Sequence, residues 1–483
     1  MHGLATLFSL SVGATTLALG SSSTYRNIVY FKEWGTYSQE GDFHMFDLDW
    51  SRVTHVKYGF AVPQANGTVT LADKYAAIIR NYVDPTTSPD VARGSFGLAN
   101  TIKKQFRTTK FGLSIGGDNN SVNFSAVAAS AAARQAFAAS AVALLQNLGL
   151  DFIDVYWASP VEGGNIPHSP NDMQNFVLLL QEVKVQLTTL PFPTELSAVA
   201  PADQRYARNW DKSLVCSIVD HVHITTYNLA QTRVLDPFEN GRRRLASATV
   251  TDHEANLYAD PANPSGSTSS VDSAIQHYLN GGCPAQKIVM GIPSFGRSFD
   301  NTQGLYTNFT APTTGSWVYQ GTGQGVWDYK SLPRGAATEV YDPKLGATYS
   351  YDPTTLTFTS YDGPHSVSAK LDYIKKYGLG GTMFWSADSD ALSTSTRSLI
   401  SQAYNYYGAT NMAFFNNTVD YPNSSYVNIR TPPSTTVAPT PAPTGDTCAG
   451  NHGVCFWPLT QQVVVNWSQD DCSKHTNVFV WCP

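Results

Sequence analysis

Leu150-Asp151-Phe152-Ile153-Asp154-Val155-Tyr156-Trp157-Ala158 is a short, nearly continuous apolar run interrupted by two aspartates. Runs of this length and continuity read as strands buried on both faces, the signature of a parallel sheet. Seven others are like it: Asn27–Phe31, Thr54–Ala61, Lys110–Gly117, Glu195–Pro201, His221–Tyr227, Lys287–Pro293 and Gly381–Ala387. Just before the quoted run, Ala126 to Leu148 is alanine-rich, with Phe137, Val142, Leu144 and Leu145 at helical spacing. Eight strands alternating with helices predict an α/β fold, a (β/α)8 TIM barrel. A doubly wound sheet would alternate too, but no glycine-rich phosphate turn follows the first run. From Ser298 to about Thr359 the chain is too long for one crossover. It carries strand-like runs of its own, Trp317–Gln320 and Ala347–Tyr351, and is expected to form an inserted α+β subdomain.

Outward from the barrel, composition changes sharply. Residues 431–444, TPPSTTVAPTPAPT, are dense in proline, which removes backbone donors and favours extended polyproline II. The expected organisation is a signal peptide (1–20), a barrel (25–425), a Pro/Thr-rich linker (426–446) and a Cys/Trp-rich module (447–483). Leu4 to Leu19 is apolar and followed by the small-x-small Ala18-Leu19-Gly20, which reads as a cleaved export signal. Cys448, Cys455, Cys472 and Cys482 form an even cluster in a short tail and read as two disulfides, with three pairings open. Cys216 and Cys283 are undecided between a bridge and buried thiols. Seven N-x-[ST] sequons, at Asn66, Asn119, Asn123, Asn308, Asn416, Asn423 and Asn466, agree with export. The expected location is extracellular or on a cell wall.

Charged residues make up only 14% of the chain and the net charge is −6, so no electrostatic footprint for nucleic acid exists. Arg242-Arg243-Arg244 reads as a solvated loop. No internal stretch reaches the roughly 18 apolar residues of a membrane span. The tail has His452 and His475 but no CxxC, so zinc there is only a secondary alternative to disulfides, and no metal or other cofactor is expected.

In such a barrel, chemistry sits at the C-terminal strand ends. Strand three ends Ser114-Ile115-Gly116-Gly117, strand four is the quoted run, and strand eight ends Met383-Phe384-Trp385. Also present are Tyr58-Gly59-Phe60-Ala61, Thr226-Tyr227-Asn228, Gly291-Ile292-Pro293-Ser294-Phe295-Gly296-Arg297 and Tyr361-Asp362-Gly363-Pro364 with Ser366 and Lys370. This ordered set resembles glycoside hydrolase family 18, the chitinases and chitinase-like lectins, over about residues 26 to 408. The family pattern on strand four is D-G-x-D-x-D-x-E. Strand side chains alternate, so its last three acidic positions face the barrel mouth together. Here those positions hold Asp154, Tyr156 and Ala158.

The resemblance implies a substrate-assisted mechanism, in which the substrate's acetamide attacks, the third acid steadies it and the glutamate protonates the leaving oxygen. A methyl group now stands at the proton donor and a phenol at the acetamide-orienting acid. Losing a positioned general acid costs on the order of 10²–10⁴ in rate. Asp118 follows the strand-three glycines where the family commonly has Trp, and Asn228 replaces the strand-six acid. Asp118 and Glu162 are the candidates for a relocated acid.

What persists resembles sugar-binding apparatus, since sugars stack apolar C–H faces on aromatic rings. By match, Trp385 is the floor, Phe60, Tyr227, Asn228, Asp154, Tyr156, Gly117 and Asp118 line the cleft, and Trp34 and Tyr37 border it. Trp157 has the opposite parity and is expected to pack against helices. In the tail, Trp457, Trp467 and Trp481 are expected to include exposed rings that bind polysaccharide. The leading expectation is a secreted, monomeric, catalytically inactive chitinase-like protein that binds chitin or N-acetylglucosamine oligomers. The alternatives are a barrel that presents its loops to a protein partner, for instance to inhibit a hydrolase, and a chitinase with relocated acids.

Overall fold

The computed structural model describes residues 24–82, 88–162, 166–230, 235–236, 244–245, 250–264, 267–318, 323–430, 448–458, 462–464, 467–473, 475 and 478–483. The expected signal peptide, Pro/Thr run 431–444 and Arg242-Arg243 lie outside these residues. Eight parallel strands close on themselves: β1 (Arg26–Lys32), β2 (His55–Pro63), β3 (Lys110–Gly116), β4 (Phe152–Tyr156), β5 (Glu195–Pro201), β6 (His221–Thr225), β7 (Ile288–Pro293) and β8 (Gly381–Trp385). Closure is made where β1 pairs with both β8, at Arg26↔Gly381, and β2, at Ile28↔His55. All eight expected strands are present. The helix expected as one piece from Ala126 to Leu148 is two, Phe124–Ala129 and Ala131–Leu148. It breaks at Ser130, whose hydroxyl caps the second piece at the Ala133 N–H.

Strand parity sorts side chains into two cores. On β4 the outward residues Ile153, Val155 and then Trp157 are fully buried beneath the helices. Trp157 stacks on Phe124 (5.3 Å) and meets Phe176 of helix Asp172–Thr188 edge-on, as its parity predicts. Asp151 also points outward, pairing with Lys103 at 2.7 Å, so it is a structural anchor. The inward residues fill the barrel in layers. The lowest holds Phe152, His55 and His221, with His55 paired to Glu195 at 3.0 Å. His221 and His223 are fully buried, and neither ring nitrogen of either has a hydrogen-bond partner among the described residues.

After β7 the inserted chain forms a five-stranded antiparallel sheet, from Phe295–Phe299 to Thr357–Tyr361. Helix Pro364–Tyr377, the last crossover helix of the barrel, starts where this sheet ends. Contrary to the strand-like run expected at Trp317–Gln320, Trp317 and Val318 are not strand. The indole of Trp317 instead donates to Asp328 at 2.7 Å, and the strand is Val326–Asp328. Tyr319 and Gln320 lie outside the described residues.

The barrel body reaches further than residue 425. Val427 donates to the Asp90 carbonyl, Asn428 exchanges hydrogen bonds with Ala92, and Ile429 is 1% exposed. Residues 426–430, expected to belong to the linker, therefore pack on the barrel, because apolar Ile429 finds a place there. All six cysteines pair, as Cys216–Cys283, Cys448–Cys482 and Cys455–Cys472. The tail is a three-stranded sheet docked on the loop after β1, where Phe46 meets Trp457, Trp467 and Phe479. Trp457 is 1% exposed, contrary to the expectation of an exposed ring, because Phe46 and Phe479 cover it. Trp467 and Trp481 are half-buried. No helix among the described residues is long and apolar enough to cross a membrane.

Burial holds His221 and His223 well below the ordinary imidazole pKa of 6.5, with neighbouring cations adding to the effect. Below that pH the unfolded chain takes up protons that the native barrel refuses. Their contribution to stability is thus complete above about pH 6.5 and is lost as pH falls, by up to about 1.4 kcal/mol per pH unit for each histidine. Urea unfolding of a His221→Asn/His223→Asn chain between pH 7.5 and 5.5 should show a shallower acid loss than the native sequence; equal slopes would refute the assignment.

Candidate functional site at the barrel mouth

The site is built upward from Asp154. Its carboxylate is fully buried and accepts from Tyr30 (2.8 Å), Ser114 (2.7 Å) and Ser197 (2.5 Å), hydroxyls of three other strands. Lys57 of β2 closes the set at 2.6 Å, its ammonium also lying 5.2 Å from the Tyr30 ring. Burial pushes Lys57 down to about 8, and Asp154 opposes that shift. Asp154 therefore sits one layer beneath the mouth with its acceptors engaged. It does not line the cleft as expected; it holds the floor.

That floor is aromatic. Tyr30 meets Trp385 edge-on at 5.0 Å, and Phe60 stacks on Trp385 at 5.9 Å and 22°. Trp34 joins them, 6.3 Å from each ring. Phe60 and Tyr227 are buried (5% and 8% exposed), whereas Trp34, Trp385 and Tyr156 are half-exposed. Trp34, Phe60, Tyr156, Tyr227 and Trp385 thus belong to one aromatic cluster, of which Trp34, Tyr156 and Trp385 are partly exposed. Tyr37 donates its backbone N–H to the Trp34 carbonyl at 3.1 Å and its hydroxyl to Asp73 at 2.5 Å.

The ends of β3 and β4 are locked together. Gly117 has φ +88° and its N–H donates to the Tyr156 carbonyl at 2.9 Å. A Cβ there would come 3.0 Å from the Phe60 ring, so this turn requires glycine. Tyr156 donates its hydroxyl to Asp118 at 2.9 Å across the rim. Its phenol is raised well above 10, first by burial and then by Asp118. Asp118 is exposed as a residue, yet the surrounding protein raises its carboxyl pKa, tempered by the Tyr156 hydrogen bond. Ala158 lies past the strand end, and its N–H donates to Ser121 at 3.1 Å. Glu162 is engaged by Arg208 (2.8 Å) and Asn209, which hold its pKa below the ordinary value. Such a carboxylate is poorly suited to donating a proton.

Sequence reasoning missed Glu254. Asn228 adopts a left-handed φ of 59°, its N–H donates to Glu254 at 2.7 Å, and its side-chain oxygen accepts from Arg297 at 3.2 Å. Arg297 lies 3.4 Å from the other Glu254 oxygen. Glu254 is fully buried, and burial raises its pKa to about 7 against the pull of Arg297. The carboxylate nearest Asn228 and Arg297 thus comes from an irregular loop. No periodicity or motif marks that position.

Comparison with known proteins agrees with this architecture. The family model for glycosyl hydrolases family 18 matches residues 26–390. Chitinase 1 of Aphanocladium album is 36% identical over 417 residues, covering 84% of this chain and 91% of its own. Endochitinase 1 of Metarhizium robertsii is 35% identical, covering 84% and 90%. Among solved structures, chitinase ChiA74 from Bacillus thuringiensis superposes with a TM-score of 0.71 at 28% identity, over 79% of this chain and 69% of that one.

Asn228→Asp should place a second carboxylate beside Glu254 and lower stability through like-charge repulsion. Glu254→Gln in the same chain should recover most of the loss, with a coupling of about 0.5–3 kcal/mol in a double-mutant unfolding cycle. Simple additivity of the two changes would show that these groups do not share one charge.

Proposed function

This chain belongs to glycosyl hydrolase family 18, and within that family we propose that it binds chitin or N-acetylglucosamine oligomers without cleaving them. The observation that carries this reading is the end of β4. The position of the proton donor is the methyl of Ala158, and the preceding inward position is a phenol tied to Asp118. A phenol raised above its ordinary value cannot protonate a glycosidic oxygen at neutral pH. Binding asks for something different: flat apolar rings with accessible faces. Trp34 and Trp385 meet that requirement above the buried Phe60. The relatives named chitinases supply the ligand class, because a cleft can keep its sugar contacts after losing its acid. Three disulfides suit an oxidising compartment, so the protein is secreted in this reading.

A second reading has one observation in its favour. Asp118 at the rim carries a raised pKa, which suits a proton donor better than an ordinary aspartate. In that reading slow hydrolysis of chitin oligomers persists and disappears in Asp118→Asn.

Incubation with an N-acetylglucosamine hexamer, measuring bound ligand and products together, separates the two. The expected outcome is binding with an intact hexamer. Trp385→Ala should weaken it by more than about 1 kcal/mol, since central aromatic anchors dominate such interfaces. No binding at millimolar ligand, or turnover at an ordinary enzymatic rate, would overturn the proposal. Tyr156→Asp with Ala158→Glu restores the family's side chains at both positions, and is expected to bring measurable hydrolysis to a chain that otherwise shows none. Continued inactivity of a folded double variant would mean that the cleft has diverged beyond those two positions.

A further inference from the structure

We propose that the contact between the barrel and its C-terminal module is a binding site for a divalent transition-metal ion, with zinc the best fit. Asp42, His44 and His475 each offer a ligand atom, and these atoms lie within 4.8 Å of one another. The first two belong to the loop after β1 and the third to the module, so the site exists only where the two meet. Asp42 Oδ1 and His44 Nε2 are already 3.1 Å apart. Ligand atoms of a tetrahedral zinc are roughly 3.3 Å apart, given bond lengths of about 2.0–2.2 Å. A small rotation of the half-exposed Asp42 carboxylate would narrow the remaining spacings.

The groups behind these ligands are those that orient histidines on metals. Asp47 uses both carboxylate oxygens: Oδ1 accepts from His475 Nδ1 at 2.7 Å, and Oδ2 accepts from the His44 backbone N–H at 2.8 Å. The first bond places the His475 lone pair on Nε2, the tautomer that coordinates. Tyr82 reaches His44 Nδ1 at 3.1 Å, leaving Nε2 turned toward Asp42. Either a proton or a metal ion must lie between that nitrogen and the carboxylate. Around this polar group Trp467 stacks on His475 at 4.9 Å, and Phe46 meets His475 edge-on. Two imidazoles and a carboxylate in an apolar surround, with one side open to water, suit zinc better than calcium or magnesium, which prefer all-oxygen shells. Asp47 and His475 are 428 residues apart in sequence, so no local spacing announces the site. Its effect would be to clamp the module to the barrel.

The test is equilibrium dialysis of the purified, chelator-treated full chain against micromolar zinc chloride, with bound metal measured by elemental analysis. One equivalent is expected per chain. Asp42→Asn, at a partly exposed loop, and His475→Gln should each lose it. Asp47→Asn should weaken it by about 10–100-fold, the usual effect of removing a group that orients a ligand. Circular dichroism of each variant establishes that it is folded. Substoichiometric zinc on the native chain, or native-like zinc on folded Asp42→Asn and His475→Gln, would overturn the proposal.

Discussion

The structure of this barrel depends on how it satisfies one buried carboxylate. Asp154 has no solvent, so every lone pair must find a donor inside the protein or the charge cannot be kept there. Three hydroxyls and one ammonium, from β1, β2, β3 and β5, meet that demand. The same contacts tie four strands to β4 at the height where the barrel changes from packed core to open mouth. Tyr30 is shared between the two levels. Its hydroxyl serves Asp154 and its ring supports Trp385. A polar network below therefore sets the position of an aromatic surface above.

Above that level the constraint is chemical. Two residues farther along β4 stands a phenol tied to Asp118, and past the strand end a methyl; in the proposed reading neither delivers a proton, while indole faces need no ionisation to hold a sugar. Stacking and proton transfer place separate demands on the same cleft, and one can persist without the other. Asn228 is uncharged, and the charge of Arg297 beside it is met by Glu254.

The module is joined to the barrel by packing as well as by the chain. Phe46 enters a cage of Trp457, Trp467 and Phe479, and Asp47 reaches His475 beside it. Indoles that look like free sugar platforms in a 36-residue stretch are partly consumed in this contact. A domain this small gains much of its apolar burial from its neighbour, as its size requires.

The eight strands and the helices between them were legible from sequence because a buried parallel strand writes itself as a local apolar run. The absence of carboxylates at positions 156 and 158 was equally local, since it is read directly from the order of residues along the strand-four run. The convergence of Trp34, Phe60 and Trp385 was legible through motif order. Other features were not. The engagement of Asp154, the role of Glu254, the burial of Trp457, the extension of the body to Ile429 and the meeting of Asp42, His44 and His475 all join residues remote in sequence. The sequence by itself determined which strands exist and which chemistry β4 lacks. Tertiary structure alone decided which polar groups meet, because the pairing of a buried charge depends on distances in space that no local pattern encodes.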